Sequence, residues 1–162
     1  MIILGIDPGN ARCGWGVIKK DGGRFSYVSC GCIETPKTLA APKRLLFLDE
    51  ALAALIKKIK PDEGAVEDIF LFKNPKTVIQ VAEARGVILA GFARKNIPLY
   101  SYTPLQVKQA VTSYGRAEKG QVLNMVMRIL KLPSPPKPDD AADALAIALC
   151  HAAIPDVYKK NR

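Results

Sequence analysis

Residues 2–7 read Ile-Ile-Leu-Gly-Ile-Asp, and Pro8-Gly9 follows at once. A short, apolar, β-branched run is the pattern of a buried strand, and Pro-Gly is the turn that stops it. The pattern places a carboxylate, Asp7, at the mouth of a sheet, where solvent and a ligand can meet it. A charge beside a core is costly unless it is paired or coordinates a metal. Asp is also common just before tight turns. The stretch alone therefore leaves two readings open, a turn initiator and a catalytic carboxylate.

The elements that follow define the frame around Asp7. Residues 14–18 and 25–33 read as strands joined by the hairpin turn Asp21-Gly22-Gly23. Three strands thus follow one another in antiparallel succession with no helix between them. A helix opens at Pro42, in the first turn where proline is tolerated. Leu45, Leu48, Leu52, Leu55 and Ile59 give it one apolar face, Lys57, Lys58 and Lys60 suit its C-terminal dipole, and Pro61 ends it. Residues 64–69 form a fourth strand, in which Ala65 and Glu67 share a face, so Glu67 interrupts an apolar run.

Residues 77–95 are a long helix with an expected core stripe of Val78, Val81, Ala82, Ile88, Leu89 and Phe92. Its opposite flank, with Ile79, Gly86, Val87, Ala90 and Gly91, is apolar as well. A helix apolar most of the way round is covered on more than one side, and in a chain this small a second subunit is a candidate cover. Arg85 projects into the core stripe and requires an acidic or carbonyl partner. Residues 97–102 read as a fifth strand, and Thr103-Pro104 opens a short helix carrying Lys108. A polar, basic loop at 112–120, holding Arg116 and Lys119, leads into a helix at 121–130. The prolines of 133–138 form a stiff spacer. Their PxxP look has little weight between helices of one compact domain.

The last helix starts at Asp139-Asp140-Ala141-Ala142-Asp143. Acids in a first turn suit the helix dipole, which by itself accounts for one or two of them. Asp140 and Asp143, three apart, share a face. Asp139 and Asp143 would serve nearly as well by geometry.

The 162 residues, 49% of them hydrophobic, suit one compact domain over 1–162, with 155–162 as a basic tail. No apolar run approaches the ~20 residues of a membrane span, and no secretory leader precedes the first strand. A cytoplasmic location is therefore expected. Of the four cysteines, Cys30 and Cys32 point to one face of a strand and cannot easily bridge. With Cys13, Cys150 and the single histidine, His151, they match no zinc spacing, and reduced core thiols are expected. The net charge is +9. If four of the fifteen acids form one site, eleven remain against twenty-four Lys and Arg, leaving +13 for everything outside it. An acidic pocket in a basic field suits a metal-dependent nuclease, because the field holds phosphates and the pocket holds cations.

Four carboxylates stand out: Asp7, Glu67, Asp140 and Asp143. Together with Gly5-Ile6-Asp7-Pro8-Gly9, the sequence carries Val66-Glu67-Asp68-Ile69-Phe70, Gln106-Val107-Lys108, Ala117-Glu118-Lys119 and Asp140-Ala141-Ala142-Asp143-Ala144-Leu145-Ala146. In that order and at this length, these motifs resemble the RuvC family of Holliday-junction resolvases over nearly the whole chain. The resemblance implies an α/β, ribonuclease H-like fold. Its mixed five-stranded sheet, three antiparallel strands then parallel ones, is flanked by helices. It also implies a homodimer that nicks two opposed strands of a four-way DNA junction in recombination and repair. Two Mg²⁺ ions per subunit, for which Mn²⁺ can substitute, and RuvA–RuvB as branch-migration partners follow as well.

Carried over by motif, Asp7, Glu67, Asp140 and Asp143 become the metal-binding catalytic acids, and Asp140 is selected over Asp139. Lys108 and Lys119 match basic residues near the scissile phosphate, and Phe70 matches an aromatic that stacks on bases. Arg116, in the basic loop, joins them as a DNA contact. Asp68, where the family commonly has Gln, and the extra Asp139 are departures expected to bring more negative charge to the site. Two rival readings fit the sequence less well. An actin-like kinase needs two such domains, and a pure junction binder gains nothing from carboxylates beside phosphates.

Overall fold

The structure, a computed structural model, describes residues 1–69 and 75–155. Five strands, β1 (Ile2–Asp7), β2 (Arg12–Asp21), β3 (Arg24–Glu34), β4 (Glu63–Glu67) and β5 (Leu99–Tyr102), form one sheet in the order β3-β2-β1-β4-β5. β1, β2 and β3 pair antiparallel, and β4 and β5 add parallel to β1. This is the ribonuclease H-like mixed sheet anticipated above. Helices α1 (Ala41–Ile59) and α2 (Pro75–Arg94) cover one face. Helices α3 (Pro104–Thr112), α4 (Lys119–Leu130) and α5 (Asp139–Ala153) cover the other.

Two cores result from the strand alternation. Leu4, Ile6, Val17 and Val66 point towards α1 and α2, while Ile3, Ile18 and Ala65 point towards α5. α5 is buried along almost its whole length, from Ala141 to Ala152. Where it crosses the middle of β1 and β2 it lies against glycines. A Cβ added at Gly5 would stand 2.2 Å from the Ala144 carbonyl oxygen, and one at Gly14 would stand 2.1 Å from that of Asp140. At Gly16 it would meet the Leu145 backbone nitrogen at 2.7 Å. Five alanines between 141 and 148 supply the matching small surface on the helix. At the far end of α5, His151 is fully buried. Its Nδ1 shares a 2.7 Å hydrogen bond with the Tyr102 hydroxyl, and its Nε2 lies 2.6 Å from Glu63 Oε2.

Several expectations are corrected in detail. The buried face of α1 is Leu48, Leu52 and Ile56, with Leu45, Leu55 and Ile59 only half-buried. Ile56, one turn beyond Leu52, completes the straight i, i+4, i+8 row. On α2 the buried row is Ala84, Ile88, Gly91 and Phe92, whereas Ala82 and Leu89 are exposed. Gly91 belongs to the core rather than the free flank, because a Cβ there would meet Leu52 at 3.0 Å. Ile79, Gly86 and Ala90 do remain exposed. Leu46 and Phe47 of α1 add to the uncovered apolar surface on this side. β5 begins at Leu99, after Pro98, whose carbonyl accepts the Gly64 N–H. α4 begins at Lys119, two residues early, with the Glu118 N–H bound to the Gln121 side chain at 2.8 Å. All four cysteines are free, and Cys13 and Cys150 are buried. No helix among the described residues is long and apolar enough to cross a membrane.

The seam between α5 and the sheet should be intolerant of the smallest side chain. Gly5→Ala forces backbone apart, with an expected cost of about 1–3 kcal/mol in urea denaturation. Gly86→Ala meets nothing within 4 Å. It should be neutral or stabilise by up to about 1 kcal/mol through helix propensity.

Candidate active site

Asp7 and Glu67 end neighbouring parallel strands. Ile6 pairs with Val66, so the two acids, one residue further along each strand, finish side by side. Both side chains point to the α5 face, as their strand-mates Ile3 and Ala65 do. The carboxyl ends of parallel strands are where α/β sheets present ligands. The N-terminus of α5 arrives at the same place, because Gly14, the Cα partner of Asp7 in β2, lets the Asp140 backbone come close. Asp7, Glu67 and Asp143 line a single cavity of ≈ 270 Å³ together with Lys108, Lys119, Pro104, Val107, Val122 and Ala146. Asp140 stands beside it, near enough to act on Asp7 electrostatically.

The crowding of acids shows in their proton affinities. Burial, then the charges of Glu67, Asp143 and Asp140, push Asp7 from an ordinary 3.8 up to about 8. Burial, then Asp143, push Glu67 up to about 7, with Lys108 and Lys119 acting in the opposite sense. Two cations partly relieve the cluster. The Lys119 ammonium donates to Asp143 Oδ2 at 2.7 Å and to Asp139 Oδ2 at 2.9 Å. Partial burial disfavours its charge, but these two carboxylates outweigh that and raise its pKa above the usual lysine value. Lys119 is the first residue of α4, where a cation opposes the helix dipole. Its position therefore serves the acids rather than the helix.

The second cation, Arg12, was not singled out from sequence. Its Nη2 lies 2.6 Å from Asp140 Oδ2 and 3.7 Å from Asp139 Oδ1. The signal was its place at the start of β2, directly after the turn that follows Asp7. Although close to Arg12, Asp140 Oδ2 is a buried atom that accepts no well-directed hydrogen bond. The proximity is thus an ion contact, and the oxygen retains acceptor capacity.

The two extra acids do not load the site as expected. Asp139 is exposed and neutralised, its pKa lowered first by the hydrogen bond from Lys119. Asp68 follows Glu67 and turns to the opposite face of the sheet, where it meets Arg85 at 2.7 Å. Its charge still raises Glu67, but less than burial and Asp143 do. Arg85 also binds the Glu67 carbonyl, so both partners anticipated for it are present. Arg116 is exposed in the turn before α4 and does not line the cavity. Phe70 lies outside the described residues.

The donor set consists of carboxylate oxygens, the ligands that hard divalent cations take. Among the described residues, no three such side chains are gathered tightly enough to grip one ion as they stand. Lys119 and Arg12 hold Asp143 and Asp140 in ion pairs instead. The under-satisfied Asp140 oxygen and the raised proton affinities of Asp7 and Glu67 fit a site built to take further positive charge.

Comparison with known proteins gives the family of the chain. Residues 3–151 match the family model for "Crossover junction endodeoxyribonuclease RuvC". Proteins of that name from Petrotoga mobilis and Chloroflexus aggregans are 58% and 51% identical over 93% and 94% of this chain, and 93% of each relative is covered. Among solved structures, T. thermophilus RuvC in complex with a Holliday junction substrate superposes with a TM-score of 0.88 at 34% identity. That match covers 94% of this chain and 93% of the other. The yeast mitochondrial resolvase Ydc2, at 16% identity and a TM-score of 0.66, shares the fold.

The raised carboxyls set a direction for stability in a metal-free buffer. Between about pH 4 and 8 the folded protein keeps protons on Asp7 and Glu67 that the unfolded chain has released. Stability from this source is full below the unfolded pKa and is lost as pH rises towards 8. Calorimetry in EDTA should show the melting temperature falling over that window. Asp7→Asn should flatten the fall and melt higher than the unaltered protein at pH 8. An unchanged slope would remove Asp7 from the buried acid cluster.

Proposed function

The chain belongs to the RuvC family of crossover junction endodeoxyribonucleases, and from that premise we propose how its residues carry out junction cleavage. The protein is a structure-selective endonuclease that resolves Holliday junctions. The observation that carries the mechanism is the convergence of Asp7, Glu67 and Asp143 on one cavity with Lys108 and Lys119 in its wall.

Asp7, Glu67, Asp140 and Asp143 would hold the metal ions. Bound there, two Mg²⁺ ions, or Mn²⁺ in their place, would supply activation of a water and charge stabilisation for the leaving oxygen of a phosphodiester. The protein's own groups prepare that chemistry. Asp7 and Glu67 hold their protons more tightly than ordinary carboxyls until positive charge arrives, which links occupancy of the site to their ionisation. Lys119 neutralises Asp143 until then, and afterwards its ammonium is available to a phosphate. Lys108, from α3, also lines the cavity. Val107 and Val122 keep part of the wall apolar, which strengthens each charge interaction inside. Outside the cavity, the excess of Lys and Arg attracts the DNA backbone. Arg116 and Phe70 are proposed as DNA contacts, the first with phosphate and the second stacked on an opened base.

Two opposed cuts require two sites related by a two-fold axis, so the working unit is proposed to be a homodimer. The uncovered apolar surface of α1 and α2, with Leu46, Phe47, Ile79, Gly86 and Ala90, supports that face as the isologous contact. RuvA–RuvB as partners, the role in recombination and repair and the cytoplasmic setting complete the proposal on the same family basis.

The decisive experiment incubates a labelled four-way junction with the protein, with and without Mg²⁺. Cutting should require the metal. Asp7→Asn, Glu67→Gln, Asp140→Asn and Asp143→Asn should each abolish it while junction binding persists, and near-normal cutting would clear that residue of a catalytic role. In the same assay Lys108→Gln should reduce the salt dependence of binding by about one phosphate. Phe70→Ala should forfeit roughly 1–3 kcal/mol per stacked base without lowering the melting temperature. A large drop in thermal stability would instead make Phe70 a core residue.

The dimer is tested separately. Ala90→Glu places a charge on the exposed flank of α2 and should yield folded monomers by light scattering that no longer make paired cuts. A monomer for the unaltered protein at micromolar concentration would sink the dimer claim.

A further inference from the structure

Arg85 sits on α2, a helix that contributes nothing else to the acid cluster, on the far side of the sheet from the cavity. Its guanidinium nevertheless makes three polar contacts at the end of β4. Nη2 donates to Asp68 Oδ1 at 2.7 Å and to Ser101 Oγ at 2.7 Å, and Nε donates to the Glu67 carbonyl at 3.3 Å. The side chain is 19% exposed and that of Asp68 39%, so the cluster is only partly screened by solvent.

The position explains the use of arginine. β4 ends at Glu67, and a strand end is free to twist unless something holds it. On one side the Asp68 N–H binds the Tyr102 carbonyl at 2.8 Å. On the other edge, β1 ends level with it. Arg85 adds a side-chain hold at this end, on the Glu67 carbonyl itself. Arg85 grips the carbonyl of Glu67 and the side chain of the next residue together, and ties both to β5 through Ser101. A planar fork with several fixed donors can do this, whereas a lysine ammonium is a point charge on a flexible stem. The pairing also gives Asp68 a role: it is the anchor for the fork, turned away from the cavity.

We propose that Arg85 is a positioning residue for the reaction: through Asp68, Ser101 and the Glu67 carbonyl it sets the direction of the Glu67 carboxylate. The proposal rests on the reading of Glu67 as a metal ligand. Groups that orient a ligand from behind typically change metal affinity or activity by 10–100-fold when removed.

The test uses the full chain and three variants. Arg85→Lys keeps a cation beside Asp68 but loses the fork. Asp68→Asn keeps an oxygen acceptor at the same place. Ser101→Ala removes one contact with little disturbance, and serves if Arg85→Lys fails to fold. The readouts are Mn²⁺ binding to the DNA-free protein, followed by electron paramagnetic resonance, and the Mg²⁺ concentration for half-maximal junction cutting. Arg85→Lys should weaken Mn²⁺ binding and raise the Mg²⁺ midpoint by about ten-fold. Junction binding in Ca²⁺ should be unchanged. Ser101→Ala should move both metal readouts the same way by less, and Asp68→Asn should stay within about two-fold of the unaltered protein, because the oxygen that accepts from Arg85 is kept. Lower melting temperatures with unmoved metal readouts in Arg85→Lys and Ser101→Ala would make the cluster merely structural and overturn the proposal. If Glu67→Gln also leaves Mn²⁺ binding intact, the ligand reading itself has failed, and the two failures are thereby told apart.

Discussion

The closeness of α5 to the sheet is the constraint on which the site depends. Helices usually pack on sheets through side chains, which hold the backbones apart. Here glycines in β1 and β2 meet alanines in α5, and the helix backbone lies almost on the strands. Asp140 and Asp143 are thereby carried to the strand ends that hold Asp7 and Glu67. The distances among the acids are set by backbone against backbone, with few rotatable bonds to absorb error. Such rigidity is what a constellation of oxygen ligands needs before an ion arrives.

That arrangement has an electrostatic cost, and the protein meets it locally. Burial and mutual repulsion make Asp7 and Glu67 poor acids in the metal-free state. Lys119 and Arg12, from the ends of two other elements, partly balance Asp139, Asp140 and Asp143. Exposed ion pairs of this kind contribute little to stability. Their value lies in offsetting negative charge beside the cavity. The remaining basic surface then acts over a longer range to gather a polyanion.

Much of this was legible in the sequence because local rules and tertiary needs coincide. The strand-then-turn around Asp7, the period of two that sets Glu67 on a face, and the acids opening α5 each follow from short-range chemistry. The demand of Arg85 for a polar partner was equally plain. What failed to show were relations between distant segments. Gly5, Gly14 and Gly16 look like ordinary strand glycines until α5 is laid across them. Arg12 looks solvated until the α5 N-terminus arrives. The apolar stripe of α2 shows in the sequence at Ile88 and Phe92 but not at its edges, where Ala82 and Leu89 face out, because that helix is apolar on nearly all sides and its periodicity says little about which side the sheet covers. The two departures, Asp68 and Asp139, read as added charge at the site. Only the alternation of β4 and the reach of Lys119 reveal that both are answered by cations.

An alanine-rich helix on a glycine floor is smooth, and smooth surfaces specify alignment poorly. A shift of α5 by one turn would put Ala148 where Ala144 stands and Leu149 where Leu145 stands, with little change at the glycine floor. His151 at its far end removes that freedom. Its two ring nitrogens engage Tyr102 and Glu63, which sit on β5 and β4. Any other alignment would break the contacts of a buried imidazole with Tyr102 and Glu63, at a cost of several kcal/mol. The polar contact therefore acts as an index pin. It admits a single docking of a helix that could otherwise settle in several, and it does so from β4, the strand that carries Glu67.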